Sequence, residues 1–398
     1  MNNISVNFGP GGPTPPQGRR RRRNLDLPIE GVEQVAVREV RAIKRYFSEV
    51  PSYYKFERAI ANGKHGVAVL IKQKARENPH RDERLFVVKR AYEGRSEERL
   101  RHEISVMQRL RGAPHIAQPV VIDPDPLYLL SRPALILEYA ENGTLDNLID
   151  NVQFDDRPLP NRVLWGFFTC LLRMCIAMAW PDRGVEGAPY ENEKFPNDWQ
   201  NVPQIQLIHG DMHQDNILIG DLWPPADEHT LTPILKLIDF SEARVDPDPD
   251  LSDKSIRDKY ELSMANSRLG TGVKTNIFDI ARIMRMLITC DKRWEMEPGK
   301  VVVPYNLATK EIWSASACIA KPEYPNLDDD LRNIVMRCSA MEVEDRPTLA
   351  QLSDMIERNI TVKNYEYYRG FPRGRAERER RIQRMLHDLV FYPWDDDN

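Results

Sequence analysis

Long apolar runs are missing from this chain of 398 residues. No stretch of about 18 consecutive apolar residues occurs, so no membrane span is expected. The N-terminus opens Met1-Asn2-Asn3 without an apolar block, so no secretory leader is expected. Cysteine is scarce and odd in number. Cys170, Cys175, Cys290, Cys318 and Cys338 have neither disulfide nor metal-binding spacing, and read as reduced thiols of a cytoplasmic or nuclear protein. A surplus of one charge is missing too. The formal net charge of −4 gives no general attraction to nucleic acid or membrane. No internal repeat is found.

What is present suffices for a two-lobed catalytic domain with flanking segments, since 41% of the residues are hydrophobic. Residues 1–30 read as a solvated tail, Gly/Pro-rich and then basic through Arg19 to Arg23, a run that suits a nuclear address or an acidic surface. Residues 31–53 form a helical extension, with Val32, Val35, Val40, Ile43 and Phe47 near helical spacing. From Tyr54 the period shortens. Strands are expected at Phe56 to Ala61, Val67 to Gln73, Leu85 to Arg90, Ala117 to Ile122 and Ala134 to Tyr139, with a helix over Ser96 to Leu110. Beyond that the chain reads as mainly helical, over 162–180, 276–290, 306–319, 327–340, 348–359 and 375–390. Short apolar strands are expected at 205–208, 217–219 and 235–238. Polar inserts at 181–203 and 220–233 are long for simple connections.

The chemistry-bearing residues lie between these elements. His209-Gly210-Asp211-Met212-His213-Gln214-Asp215-Asn216 forms a tight loop between two short strands. A carboxylate and a carboxamide five residues apart can serve one reacting centre, Asp211 orienting a hydroxyl and Asn216 lending an oxygen to a divalent cation. Read alone, the same loop is a polar turn. Asp239 follows the strand ending at Ile238 and offers a second hard oxygen donor of the kind Mg²⁺ prefers. Lys89 ends the third strand after Val87 and Val88, and Glu103 on the next helix is an acidic partner for it. Gly63 and Gly66, between the first two strands, let a backbone approach phosphates, although a plain hairpin looks the same.

In this order the set resembles the protein-kinase superfamily across residues 54–358, with an N-lobe at 54–140, a C-lobe at 141–358 and a C-terminal extension carrying an amphipathic helix at 359–398. The resemblance implies an α+β, two-lobed fold: a small five-stranded antiparallel N-lobe with a helix C, and a mainly helical C-lobe. Ala61, Gly63, Gly66 and Ala68 fall on the glycine-loop pattern. Lys89 and Glu103 look like the strand-three lysine and its helix-C partner. Leu137 falls at the gatekeeper position, and Glu138-Tyr139-Ala140 at the hinge that binds adenine. Asp211 resembles the catalytic base, and Asn216 and Asp239 the Mg²⁺ ligands. The implied activity is transfer of the γ-phosphoryl of ATP to a Ser/Thr hydroxyl of a protein. Features of the stretch 178–181, the following insert and 275–278 are also similar to a kinase-like group common in filamentous fungi.

The departures are specific. Gly210 stands where the family has an arginine that contacts a phosphorylated activation segment, so control by that phosphorylation is not expected. His213 replaces a lysine, so the charge there is expected to vary with pH around the usual imidazole value of about 6.5. His213 also makes the loop similar to aminoglycoside and choline phosphotransferases. Ser241 replaces the glycine of D-F-G, Asn276 replaces an aspartate that braces the catalytic loop, and no A-P-E is present. These changes keep two alternatives open, a small-molecule phosphotransferase and a non-catalytic scaffold that binds ATP or partners.

Overall fold

The computed structural model describes residues 33–49, 54–73, 84–122, 125–127, 130, 132–181, 192–223, 227–245, 272–293, 297–305, 308–320 and 322–391. The expectations for the tail at 1–30, for residues 182–191 and 224–226 of the inserts and for 246–271 fall outside the described residues.

The architecture is α+β. An N-terminal four-stranded antiparallel sheet is followed by a largely helical region with small two-stranded sheets. Helix α1 (Glu33–Glu49) precedes β1 (Tyr54–Asn62), β2 (Gly66–Gln73) and β3 (Arg84–Ala91), and α2 (Arg95–Arg109) separates β3 from β4 (Ala134–Glu138). The strands lie in sequence order. Pleating divides their side chains between two faces. Val67, Val69, Ile71, Phe86, Val88 and Ile136 pack with Ala36, Ile43 and Phe47 of α1. The other face carries two cross-strand rows, Ala61–Ala68–Lys89–Leu135 and Leu70–Val87–Leu137. The helical extension therefore packs on the sheet through the expected Val40, Ile43 and Phe47, joined by Ala36; Val35 is instead exposed, and Glu39 is buried and paired with Arg132 and Arg90.

The expected fifth strand at Ala117 to Ile122 shrinks to one bridge, Pro119 with Leu137. Val120 N–H donates to Ile136 and Glu138 N–H to Gln118, but Pro119 has no N–H to extend the ladder.

The helical region centres on α4 (Asn161–Ala179), preceded by α3 (Leu145–Asp155), which the sequence reading left unassigned. At 19 residues, α4 is long and apolar enough to cross a bilayer, contrary to the expectation that no segment is. It is buried along nearly its whole length as the core helix. Packed near it are α5 (Gly272–Thr289), α6 (Asp329–Cys338) and α7 (Leu349–Val362). Two small ribbons hold the loops of interest: β5 (Leu207–Ile208) pairs with β8 (Arg244–Val245), and β6 (Ile217–Ile219) with β7 (Leu235–Leu237). The loop 209–216 thus leaves β5 and enters β6, and Asp239 leaves β7.

Two expected helices differ. In the expected helix at 306–319, the described residues form not a helix but strand β10 (Ala308–Ser314), paired antiparallel with β9 (Gly299–Tyr305) and followed by a 3₁₀ turn. The helix expected over 375–390 is divided into a 3₁₀ turn (Gly374–Glu377), α8 (Glu379–Leu386) and a π turn (His387–Phe391). The break coincides with Glu377, whose carboxylate accepts from the backbone N–H groups of Asn161 at 2.7 Å and Arg162 at 3.0 Å, the open N-terminus of α4.

Candidate active site

Lys89, Glu103 and Asp239 come together from three elements. Lys89 sits in the register Ala68–Lys89–Leu135, so its side chain leaves the sheet on the face away from α1. Its ammonium lies 2.7 Å from Glu103 on α2 and 2.9 Å from Asp239, 150 residues on. Burial opposes its charge, but the two carboxylates prevail and hold Lys89 above the ordinary lysine pKa. Burial would raise the pKa of Asp239, yet Lys89 draws it down to about 2. Glu103 is 1% exposed, so this ammonium is what makes its charge tolerable there.

Helix α2 is fixed from the other side as well. Arg99 pairs with Glu242, and His102 Nε2 lies 2.6 Å from the Ala243 carbonyl. Asp239 itself adopts a left-handed backbone (φ 67°) and caps the 3₁₀ turn Phe240–Glu242 by accepting from Ser241 N–H. Phe240 is fully buried, with its ring edge-on to His209.

The loop 209–216 is built around His209. Its Nε2 lies 3.0 Å from the Ile238 carbonyl, and its Nδ1 accepts from Asp211 N–H at 3.3 Å. That arrangement needs a neutral ring protonated on Nε2, and complete burial lowers the His209 pKa to about 4. Asn276 on α5 braces the same loop. Its Oδ1 accepts from His209 N–H at 3.2 Å and its Nδ2 donates to the Leu207 carbonyl at 2.7 Å. The amide thus does two jobs, one of which an aspartate could not do while ionised.

Gly210 has φ +83°, and a Cβ there would lie 2.4 Å from the Glu242 carbonyl oxygen and 2.9 Å from Arg244. The missing arginine is therefore a backbone requirement here: the loop passes too close to the segment after Asp239 to carry a side chain.

Asp211, Asn216 and His213 cluster. Asn216 Nδ2 donates to the Asp211 carbonyl at 2.9 Å, so the carboxamide oxygen is the atom left for a cation. His213 lies 3.5 Å from Asp211 and 3.2 Å from Asp215. Burial works against its charge, but these carboxylates raise it to about 9. The carboxylates thus favour a charged ring at neutral pH, whereas the Asn216 amide nitrogen at 3.1 Å from Nε2 favours a bare nitrogen there. The hydrogen bond to His213 in turn holds Asp211 below the usual carboxylate range, against the opposing effect of burial.

Of the glycine-loop residues expected from the sequence, Gly66 answers a packing need. A Cβ there would sit 2.3 Å from the Arg90 carbonyl, whereas one on Gly63 meets nothing within 4 Å. Gly63 N–H donates to Gly66 O at 2.9 Å and closes the turn. Ala61 and Ala68 lie in one cross-strand row with Lys89, and small side chains there leave room beside the ammonium. Leu137 pairs with Val87 and is buried. The Glu138 carboxylate accepts from Lys236 at 2.9 Å and Gln118 N–H at 2.7 Å, tying β4 to β7 just before Tyr139 and Ala140. Sequence reasoning missed the Arg99–Glu242 and Lys236–Glu138 pairs; contacts spanning 143 and 98 residues leave no local signal.

No protein-family model matches the chain. Comparison with curated proteins also gives no match.

Proposed function

We propose that this chain is an ATP-dependent protein kinase with a two-lobed protein-kinase-like fold, transferring the γ-phosphoryl of ATP to a Ser/Thr hydroxyl of a protein. The observation that carries the reading is the Lys89–Glu103–Asp239 constellation, assembled from β3, α2 and the end of β7. A lysine held charged by one buried and one partly exposed carboxylate suits a polyphosphate, and Glu103 would keep it in place when Asp239 turns to a metal.

The donor set fits Mg²⁺. Asp239 is fully ionised at neutral pH and Asn216 has a carboxamide oxygen to give, both hard ligands of the type this ion takes alongside phosphate. When bound, the ion would neutralise charge on the transferring phosphoryl group. Asp211, its side chain 46% exposed, is positioned to accept the hydrogen bond of an acceptor hydroxyl. With its pKa lowered it is a weak base, so its contribution would be chiefly to orient that hydroxyl in line. His213 beside it, in its charged form, would stabilise negative charge developing at the same place.

The test is phosphate transfer from γ-labelled ATP with Mg²⁺, wild type beside Asp211→Ala, offering a mixed protein substrate and a panel of aminoglycosides and choline. Label on protein, reduced by about 10²-fold or more in Asp211→Ala, is the expected outcome. Label on a small molecule instead would reassign the acceptor. ATP binding by folded wild type with no transfer in any lane would overturn the catalytic reading in favour of a scaffold.

A further inference from the structure

A second constellation shares no residue with the site above. His115 follows α2, Cys170 is in the middle of α4, and His229 ends a 3₁₀ turn in the insert 220–233. All three are buried, at 0%, 0% and 1% exposure. Their donor atoms lie within 4.8 Å of one another. The two imidazole Nε2 atoms face each other at 3.2 Å, and Cys170 Sγ completes the group within 4.8 Å.

The proton positions make this arrangement unusual. Glu193, in the other insert, accepts from His115 backbone N–H at 2.9 Å and lies 2.6 Å from His115 Nδ1. A carboxylate there fixes the proton on Nδ1 and turns the Nε2 lone pair inward. His229 Nδ1 is buried with no hydrogen-bond partner among the described residues, so nothing there fixes its tautomer. A neutral ring protonated on Nδ1 would aim a second lone pair at the first. Two lone pairs and a thiol converging in a closed space are what a cation resolves. Two nitrogens each 2.0–2.1 Å from a tetrahedral ion stand about 3.3 Å apart, close to the separation seen.

We propose that His115 Nε2, His229 Nε2 and Cys170 Sγ form a zinc site, with Glu193 orienting His115 from behind. The nitrogen and sulfur donors select zinc over the hard cation of the nucleotide site. Three protein donors leave the fourth position of a tetrahedral ion to water. The ion would join α4, the loop after α2 and both inserts. His115 O accepts from Leu237 N–H at 2.9 Å, so this knot sits directly behind β7, two residues before Asp239. The two long inserts thereby share one role, since each brings a side chain to the same buried point.

The test uses the full chain, purified without chelator or histidine tag. Elemental analysis is expected to find stoichiometric zinc. Removing it should lower the thermal midpoint by several degrees, and adding Zn²⁺ back should restore it. After exchange into Co²⁺, a thiolate-to-cobalt charge-transfer band should appear in the wild type and vanish in Cys170→Ser. If Cys170→Ser fails to fold, the wild-type cobalt spectrum decides alone: the band supports the site and its absence overturns it. Folded wild type that neither carries zinc nor takes up Zn²⁺ or Co²⁺ would overturn it, leaving a hydrogen-bonded cluster. Full zinc retention by both Cys170→Ser and His229→Ala would overturn it too.

Discussion

Asn276→Asp exchanges one amide nitrogen for an oxygen at a position 1% exposed. The His209 N–H still finds an acceptor, and the added charge strengthens that bond by about 1 kcal/mol. Against this, the Leu207 carbonyl loses its donor and faces an oxygen, a loss of about 1–3 kcal/mol. Burying the carboxylate costs several kcal/mol more unless it takes up a proton. The net expectation near neutral pH is a destabilisation of about 2–4 kcal/mol. The pH dependence is the sharper part. Burial puts the folded-state pKa of the new carboxyl above its unfolded value of about 3.9. The folded variant therefore binds the extra proton, so its deficit is small at low pH and grows as pH rises toward the folded pKa. Below the unfolded value the carboxyl is protonated in both states, the acid form donates to Leu207 as the amide does, and the gap should shrink to about 1 kcal/mol. Urea midpoints for wild type and variant, at about pH 4.5, 6 and 8, measure the gap at each pH. A gap that stays constant, or below about 0.5 kcal/mol throughout, would refute the bracing role given to this amide.

The two glycines of the β1–β2 turn should behave oppositely: Gly63→Ala within about 0.5 kcal/mol of wild type, Gly66→Ala destabilised by about 2 kcal/mol or more through the Arg90 carbonyl, both read from denaturant melts. Gly210→Arg, which introduces the residue usual in protein kinases, should lower stability by about 3 kcal/mol or more, because it combines a positive φ with a backbone clash; a variant as stable as wild type would show that the loop is free to move. Lys363, 2% exposed, lies between Asp328 and Asp330, and Lys363→Met leaves Asp328 charged and buried. That should cost about 3–5 kcal/mol, with most of it recovered in the double variant Lys363→Met/Asp328→Asn, as a double-mutant cycle would report.

Strong periodicity made much of the fold legible. The alternation in β2 and β3, the apolar continuity of α4 and the apolar stripes of α2 and α7 each reflect one local burial requirement, and each was read to within a few residues. Where pairing with a distant segment decided the outcome, local preference misled. Ala308–Ser314 is rich in helix formers, yet it is a strand because β9 offers it a full ladder. Helix α3 did carry a signal that went unread: Leu145, Leu148, Ile149 and Val152 at helical spacing, behind a capping box of Thr144 and Asn147. At the site, Lys89, Glu103 and Asp239 were named from sequence and meet in space. The backbone reason for Gly210 and the raised pKa of His213 could not be read, because both come from what folds against them. The same holds for His115, Cys170 and His229, which stand too far apart in sequence for any spacing rule.

Helix α4 is laid down some two hundred residues before it is sealed. Its first two amides wait for Glu377, and its Trp165 Nε1 for the hydroxyl of Tyr368 at 3.0 Å, partners some two hundred residues later. During synthesis, the most apolar of the described helices therefore waits through some two hundred residues of elongation for the residues that cap and cover one end. Completion of the core is tied to the arrival of Tyr368 and Glu377. A ribosome stalled shortly before Tyr368 would hold a chain with every residue of the Lys89–Asp239 constellation already made, and with its central helix still open.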